Sequence, residues 1–180
     1  MKQLFLILGL SLFFTGCYTT QGLANRLTSK PVVLTKTLLT GLYENNIPDD
    51  PENSLWNDLC LHHAKKVHDP REGNQVFLEY TDEKEITVEL YQNNQLLDSM
   101  ILSGKPKDNY FVIRKGSHFF TLILITSTVS KKTILGNDAN ADLLLAQGRS
   151  SNTMLLESEV GDEGETITAT YMRLGDTRPN

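Results

Sequence analysis

The sequence predicts an all-β protein, an antiparallel meander of about 8–10 short strands closing into a barrel with one short helix near residues 54–60. Three observations carry that expectation. From Val32 onward, β-branched and aromatic residues come in short runs, several of them alternating apolar and polar. Turn-forming clusters of Gly, Asn, Asp, Ser and Pro interrupt these runs about every 8–12 residues. The chain has 180 residues, 39% of them hydrophobic, which suits one domain with a real core.

The N-terminus reads as an address. Lys2 precedes Leu4 to Phe14, eleven apolar or small residues without a charge. A bilayer-spanning helix needs about 20 apolar residues, so this run fits the apolar region of a signal peptide. It ends in Phe14-Thr15-Gly16-Cys17. That ending resembles the lipobox of bacterial lipoproteins: an apolar residue, two small ones, then cysteine. The resemblance implies residues 1–16 as a removed signal peptide, with a diacylglycerol and an acyl chain attached at Cys17. Several chains on one residue would anchor stably, where one chain binds only marginally. No aspartate follows Cys17 and no acidic residue occurs before Glu44. By the same resemblance the protein is anchored in the outer membrane and faces the periplasm. Residues 17–31, polar and small, read as the lipidated cysteine and a tether.

Residues 32–174 read as the β-rich body. A first strand lies near Leu38 to Glu44. Ser54 can cap a helix of one or two turns, with Leu55, Trp56 and Leu59 facing inward. Gln75 to Tyr80 and Ile86 to Tyr91 alternate in period two, joined by the loop Asp82-Glu83-Lys84. Asn93-Asn94 is a tight turn, since Asn tolerates positive φ. Strands follow at Gln95 to Ser103, Tyr110 to Lys115, Phe119 to Thr128, Lys132 to Leu135, Asp142 to Gln147, Thr153 to Val160 and Thr166 to Leu174. Lys115-Gly116-Ser117, Val129-Ser130-Lys131, Gly148-Arg149-Ser150 and Gly161-Asp162-Glu163-Gly164 separate them as turns. Residues 175–180 read as a tail.

Gly41-Leu42-Tyr43 on the first strand, Ser54-Leu55-Trp56, the meander, and Gly104-Lys105-Pro106-Lys107-Asp108 together resemble lipocalin-like lipoproteins of Bacteroidetes-type bacteria. Lipocalins open their barrel with Gly-x-Trp and pack an Arg of the closing strand over that ring. The corresponding residues here are Gly41, Tyr43 and Arg173, with tyrosine in place of tryptophan. The resemblance implies a cation–π contact of Arg173 over Tyr43, worth about 0.5–2 kcal/mol. It also implies a small apolar or amphipathic ligand, held among Val88, Leu90, Ile123, Ile125, Leu143, Leu145 and Leu156. A barrel of this size can equally be filled by side chains. It would then act by contacting an envelope protein partner. Asp98-Ser99-Met100 resembles the short O-glycosylation sequon of such envelopes.

Several chemistries lack their residues. A net charge of −5 lacks the basic footprint of a nucleic-acid binder. Two cysteines make no disulfide scaffold. With Cys17 lipidated, Cys60 stays an unpaired thiol, and Leu59 and Leu61 beside it favour burial. His62 and His68 are the nearest thing to metal ligands, but their spacing matches no zinc pattern and Lys65-Lys66 would repel a cation. Glu157, Glu159, Asp162, Glu163 and Glu165 lack calcium-loop spacing and read as a wet strand face. No nucleophile elbow, metalloprotease helix or phosphate loop occurs, so no enzyme and no cofactor are expected. A hydrolase is the third reading, behind ligand carrier and partner-binding lipoprotein.

Overall fold

The computed structural model describes residues 18–47, 50–60, 67–69, 73–122, 125–155 and 158–180. Cys17, His62, Ile123 and Leu156 lie outside them. The described chain is mostly strand. It contains α1 (Thr20–Ala24), α2 (Lys36–Leu39) and α3 (Leu55–Cys60). Its strands are β1 (Gly41–Glu44), β2 (Asn46–Ile47), β3 (Asp50–Ser54), β4 (Gln75–Asp82), β5 (Glu85–Gln92), β6 (Gln95–Lys107), β7 (Tyr110–Leu122), β8 (Ile125–Asn137), β9 (Leu143–Leu155), β10 (Ser158–Tyr171) and β11 (Arg173–Gly175).

Nine strands form one antiparallel sheet in the order β10-β9-β8-β7-β6-β5-β4-β1-β11, while β2 and β3 pair separately. Consecutive strands are neighbours from β4 to β10, as hairpin-joined strands should be. The β5–β6 turn uses Asn93 and Asn94 at φ 50° and 65°, the left-handed pair that a two-residue hairpin requires. The two edges of the sheet belong to one stretch of chain. β10 pairs with β9, and one residue later β11 pairs with β1, Tyr43 opposite Arg173.

A second change of partner occurs in β6. Its first part pairs with β5 as far as Ser103↔Glu85, and its last four residues pair with β7 from Gly104↔Ile113. Gly104 sits at this bend. A Cβ there would fall 2.4 Å from the Phe111 ring and 2.7 Å from the Val112 carbonyl oxygen, so only glycine fits. Between the β4–β5 side and the β7–β9 side lies one apolar cluster. Val76, Leu78, Ile86, Val88 and Leu90 meet Phe111, Ile113, Leu135, Leu143 and Leu145 there.

Three expectations change. The first strand does not start at Leu38: Lys36–Leu39 is helical, because the Thr35 hydroxyl accepts from the Leu38 N–H as an N-cap. Residues 18–31 are not a free tether, because α1 packs on the outer side of the sheet. Leu23 is fully buried there with Tyr110, Val112, Ile134 and Ala146. The separators at 115–117, 129–131, 148–150 and 161–164 are not turns. β7 to β10 run through all four as strands of 13 or 14 residues. Small and polar residues inside a ladder look like punctuation when read locally, but the neighbouring strands supply their backbone hydrogen bonds. The interruption survives as irregular register between Lys115 and His118 and between Glu159 and Gly161.

Candidate functional site

The first polar constellation lies at the end of the sheet where β1 pairs with β11. Tyr43 is fully buried, and the Arg173 guanidinium carbon lies 5.5 Å from its ring centroid. Arg173 Nη1 donates to the Tyr43 hydroxyl at 2.9 Å and to the Leu38 carbonyl at 2.5 Å. Nη2 donates to the Thr40 carbonyl at 2.6 Å. One guanidinium thus satisfies carbonyls at the C-terminal end of α2, where orphan acceptors and the helix dipole favour a cation. Asp176 accepts from Nη2 at 2.9 Å, and Asp142 accepts from the Arg173 backbone N–H at 2.8 Å.

Gly41 explains why the guanidinium can lie there. A Cβ at that position would stand 2.7 Å from Arg173 Cζ. Asn137 Nδ2 donates to the Tyr43 hydroxyl at 3.0 Å, and that hydroxyl lies 3.1 Å from the Leu39 carbonyl. Burial pushes the Tyr43 hydroxyl above the ordinary tyrosine pKa, against the lowering effects of Asn137 and Arg173. Tyr43, Asn137 and most of the Arg173 guanidinium meet protein, while the Asp176 carboxylate reaches solvent and is paired, among the described residues, only with Arg173. The arrangement ties chain segments together as a lock.

The second constellation surrounds α3. The Ser54 hydroxyl accepts from the Asn57 N–H at 3.2 Å and caps the helix. Leu55, Trp56 and Leu59 are fully buried and Cys60 nearly so, all in the same cluster as Val88, Leu90, Leu143 and Leu145. The helix therefore occupies the space those aliphatic residues enclose. Asp58 is buried with them and accepts from the Tyr171 hydroxyl at 2.6 Å. Its backbone carbonyl accepts from Gln147 Nε2 at 2.6 Å. These bonds tie α3 to β9 and β10.

Outside the helix, Asn57 grips the His68 backbone in both directions, at 2.9 and 3.1 Å. The His68 ring meets the edge of Trp56 at 5.9 Å and faces Asp98 at 3.3 Å. His68, weighed as a metal ligand, is thus placed against Trp56 and Asp98. Among the described residues no group of three His, Cys, Asp or Glu side chains could hold a metal.

The structure brings Tyr43 and Arg173 together, and it brings Val88, Leu90, Leu143 and Leu145 into one cluster. Ile125 lies apart from these, at the far end of β8. Surface hollows occur beside Glu44, Asn46 and Gln75 and between α1 and the β6–β7 turn, and among the described residues Val88, Leu90, Leu143 and Leu145 line neither. Sequence reasoning missed Asp58, Gln147, Asn137 and Tyr171. A charged residue within an apolar helical stretch (Leu55, Trp56, Leu59, Cys60) was the available signal for Asp58, because such a group must find a partner when buried. Among the described residues no helix is long and apolar enough to cross a membrane. The chain matches no known protein family, no curated protein and no solved structure.

Proposed function

We propose that the chain is an envelope lipoprotein, lipidated at Cys17, whose lipocalin-like barrel is filled and which works through its outer surface on an envelope partner. The observation that carries the filled interior is Trp56. It is fully buried in the cluster that contains four of the residues expected to line a ligand cavity. A ligand carrier would need that volume. Closure into a barrel is supported by the single stretch 158–175, which supplies both edge strands with only Met172 between them. It is supported also by the Arg173–Tyr43 contact across that seam. The lipid anchor is supported by the signal-like run and the lipobox-like Phe14-Thr15-Gly16-Cys17. The same resemblance supports an outer-membrane anchor facing the periplasm.

Two measurements test this reading. Radiolabelled palmitate fed to cells should enter the protein and should not enter Cys17→Ser; label that survives the substitution refutes the anchor. A fluorescent fatty acid titrated into the purified protein should neither saturate nor change Trp56 emission. Saturable one-to-one binding that alters Trp56 emission would restore the ligand carrier.

A further inference from the structure

Both ends of the described chain lie against the sheet, and they are held differently. At one end the Tyr18 ring packs on Gly148, where a Cβ would fall 2.4 Å from it. At the other, the chain leaves β11 at Gly175, which pairs with Leu42, and reaches β4 and β5 through Arg178. The Arg178 guanidinium carbon stands 5.4 Å from the centroid of the Phe77 ring. Its Nη2 donates to Glu79 at 2.6 Å, and its Nε faces Glu89 at 3.0 Å. The same Glu89 oxygen accepts from the Tyr91 hydroxyl at 2.8 Å.

These partners form a guanidinium seat on the outer side of the sheet. Phe77 lies opposite Glu89 and Gln75 opposite Tyr91, with Glu79 two residues along β4. Phe77, Glu79, Glu89 and Tyr91 therefore share the face turned away from Val76, Leu78, Val88 and Leu90. The Glu89 side chain is only 13% exposed, and a carboxylate so covered needs a cation and donors around it. The Phe77 ring supplies a floor that suits a flat guanidinium. Arg178 itself is half exposed, and among the described residues it alone of 177–180 bonds to the sheet. Ion pairs so open to water hold weakly.

The same face continues onto β6. Thr87 lies opposite Ile101, Glu89 opposite Ser99 and Tyr91 opposite Leu96. Ile101 is 57% exposed and Leu96 54%. A carboxylate-lined aromatic seat, filled by the chain's own arginine, thus adjoins apolar side chains that stay open to solvent.

We infer that the outer face of β4, β5 and β6 is where the envelope partner docks, that the partner presents an arginine flanked by apolar side chains, and that Arg178 fills the seat until the partner displaces it. The inference rests on the partner-binding reading above and names the surface and the partner's chemistry. Charge selects this occupant. Glu79 and Glu89 without a cation between them repel each other, so whatever displaces Arg178 must bring a cation of its own. Arg178 competes as part of the same chain, at the millimolar effective concentration of a short link, and so sets the threshold a partner must exceed.

The test uses the full chain and two fluorescein-labelled peptides, Leu-Thr-Arg-Thr-Leu and its control Leu-Thr-Gln-Thr-Leu, read by fluorescence anisotropy. Arg178→Ala should bind the arginine peptide about tenfold more tightly than the unsubstituted protein, because the internal competitor is gone. Arg178→Lys should fall between them, since an ammonium seats less well than a guanidinium. Within Arg178→Ala, Glu79→Gln should remove most of the gain. Glu79 is 40% exposed, so this substitution tests charge without disturbing the fold. Ile101→Ser should weaken binding about threefold and keep the preference for arginine. Equal binding by the unsubstituted protein and Arg178→Ala overturns the inference, as does equal binding of the two peptides. So does a dimer of the unsubstituted protein that Arg178→Ala dissolves in sedimentation, because the seat would then take the tail of a second copy. The fatty-acid titration keeps the two claims apart. Saturable fatty-acid binding together with arginine-selective peptide binding sinks the filled barrel and keeps the docking face. Absence of both keeps the filled barrel and sinks the docking face.

Discussion

The two parts of the sheet are built on different principles. On one side, β1, β4, β5, β11 and the first part of β6 pair over short lengths around a dry cluster. Val76, Leu78, Ile86, Val88 and Leu90 are fully buried there, and Arg173 satisfies carbonyls at the C-terminal end of α2. On the other side, β7 to β10 run 13 or 14 residues. Pairing of β6 with β7 stops at Gly104↔Ile113, while pairing of β7 with β8 continues to Leu122↔Ile125. The first part is held by burial. The far part of the second is a ladder whose β7 edge has lost its β6 neighbour. Stability is therefore uneven along single strands, highest where a strand crosses the shared cluster.

That contrast can be broken most severely at Trp56. Trp56→Ala should cost about 4 kcal/mol, since it removes the largest fully buried side chain from the shared cluster. Urea unfolding would measure it, and a loss below about 1 kcal/mol would mean that α3 does not fill the interior. Arg173→Met should cost about 2 kcal/mol, because partly buried carbonyls of Leu38 and Thr40 lose a charged donor. Gly41→Ala should cost about 2 kcal/mol through the clash with Arg173 Cζ, read as a lowered Tm. If Gly41→Ala combined with Arg173→Met is no worse than Arg173→Met alone, the two act at one contact.

Alkaline pH sharpens the same contrast. Burial raises the Tyr43 pKa, and burial with the Glu89 hydrogen bond pushes Tyr91 up to about 12. Below about pH 10 both tyrosines are neutral, folded or unfolded, and no pH slope arises from them. Above it the unfolded chain ionises first, so stability falls as pH rises through the folded values. Stability measured from pH 9 to 12 should decline, and Tyr43→Phe should flatten the slope. The smallest effect is expected at Tyr18. Tyr18→Ala should cost about 1 kcal/mol and speed amide exchange on β9 near Gly148, while leaving exchange in β4 and β5 unchanged.

What could be read from the sequence was what depends on near neighbours. Asn93-Asn94, the alternation of Ile86, Val88 and Leu90, and the Ser54 cap each carry their own local physics. Gly41, Tyr43 and Arg173 became legible only through resemblance, because no local pattern links residues 130 positions apart. The long strands were cut at Gly116, Ser130, Gly148 and Gly161 because glycine and serine look alike in a turn and in a ladder. Which of the two they occupy depends on strands that the local window does not contain.

The sequence by itself determined a β-rich chain, the tight turn at Asn93-Asn94 and the Ser54-capped helix. Only the tertiary structure decided that α3 fills the space between the two sides of the sheet. It alone decided that Asp58 is held by Tyr171, and that residues 18–31 pack on the sheet instead of hanging as a tether. The reason is the reach of the forces involved. Turn and cap preferences act over a few residues, whereas burial and the pairing of buried polar groups depend on which distant segments arrive at the same place.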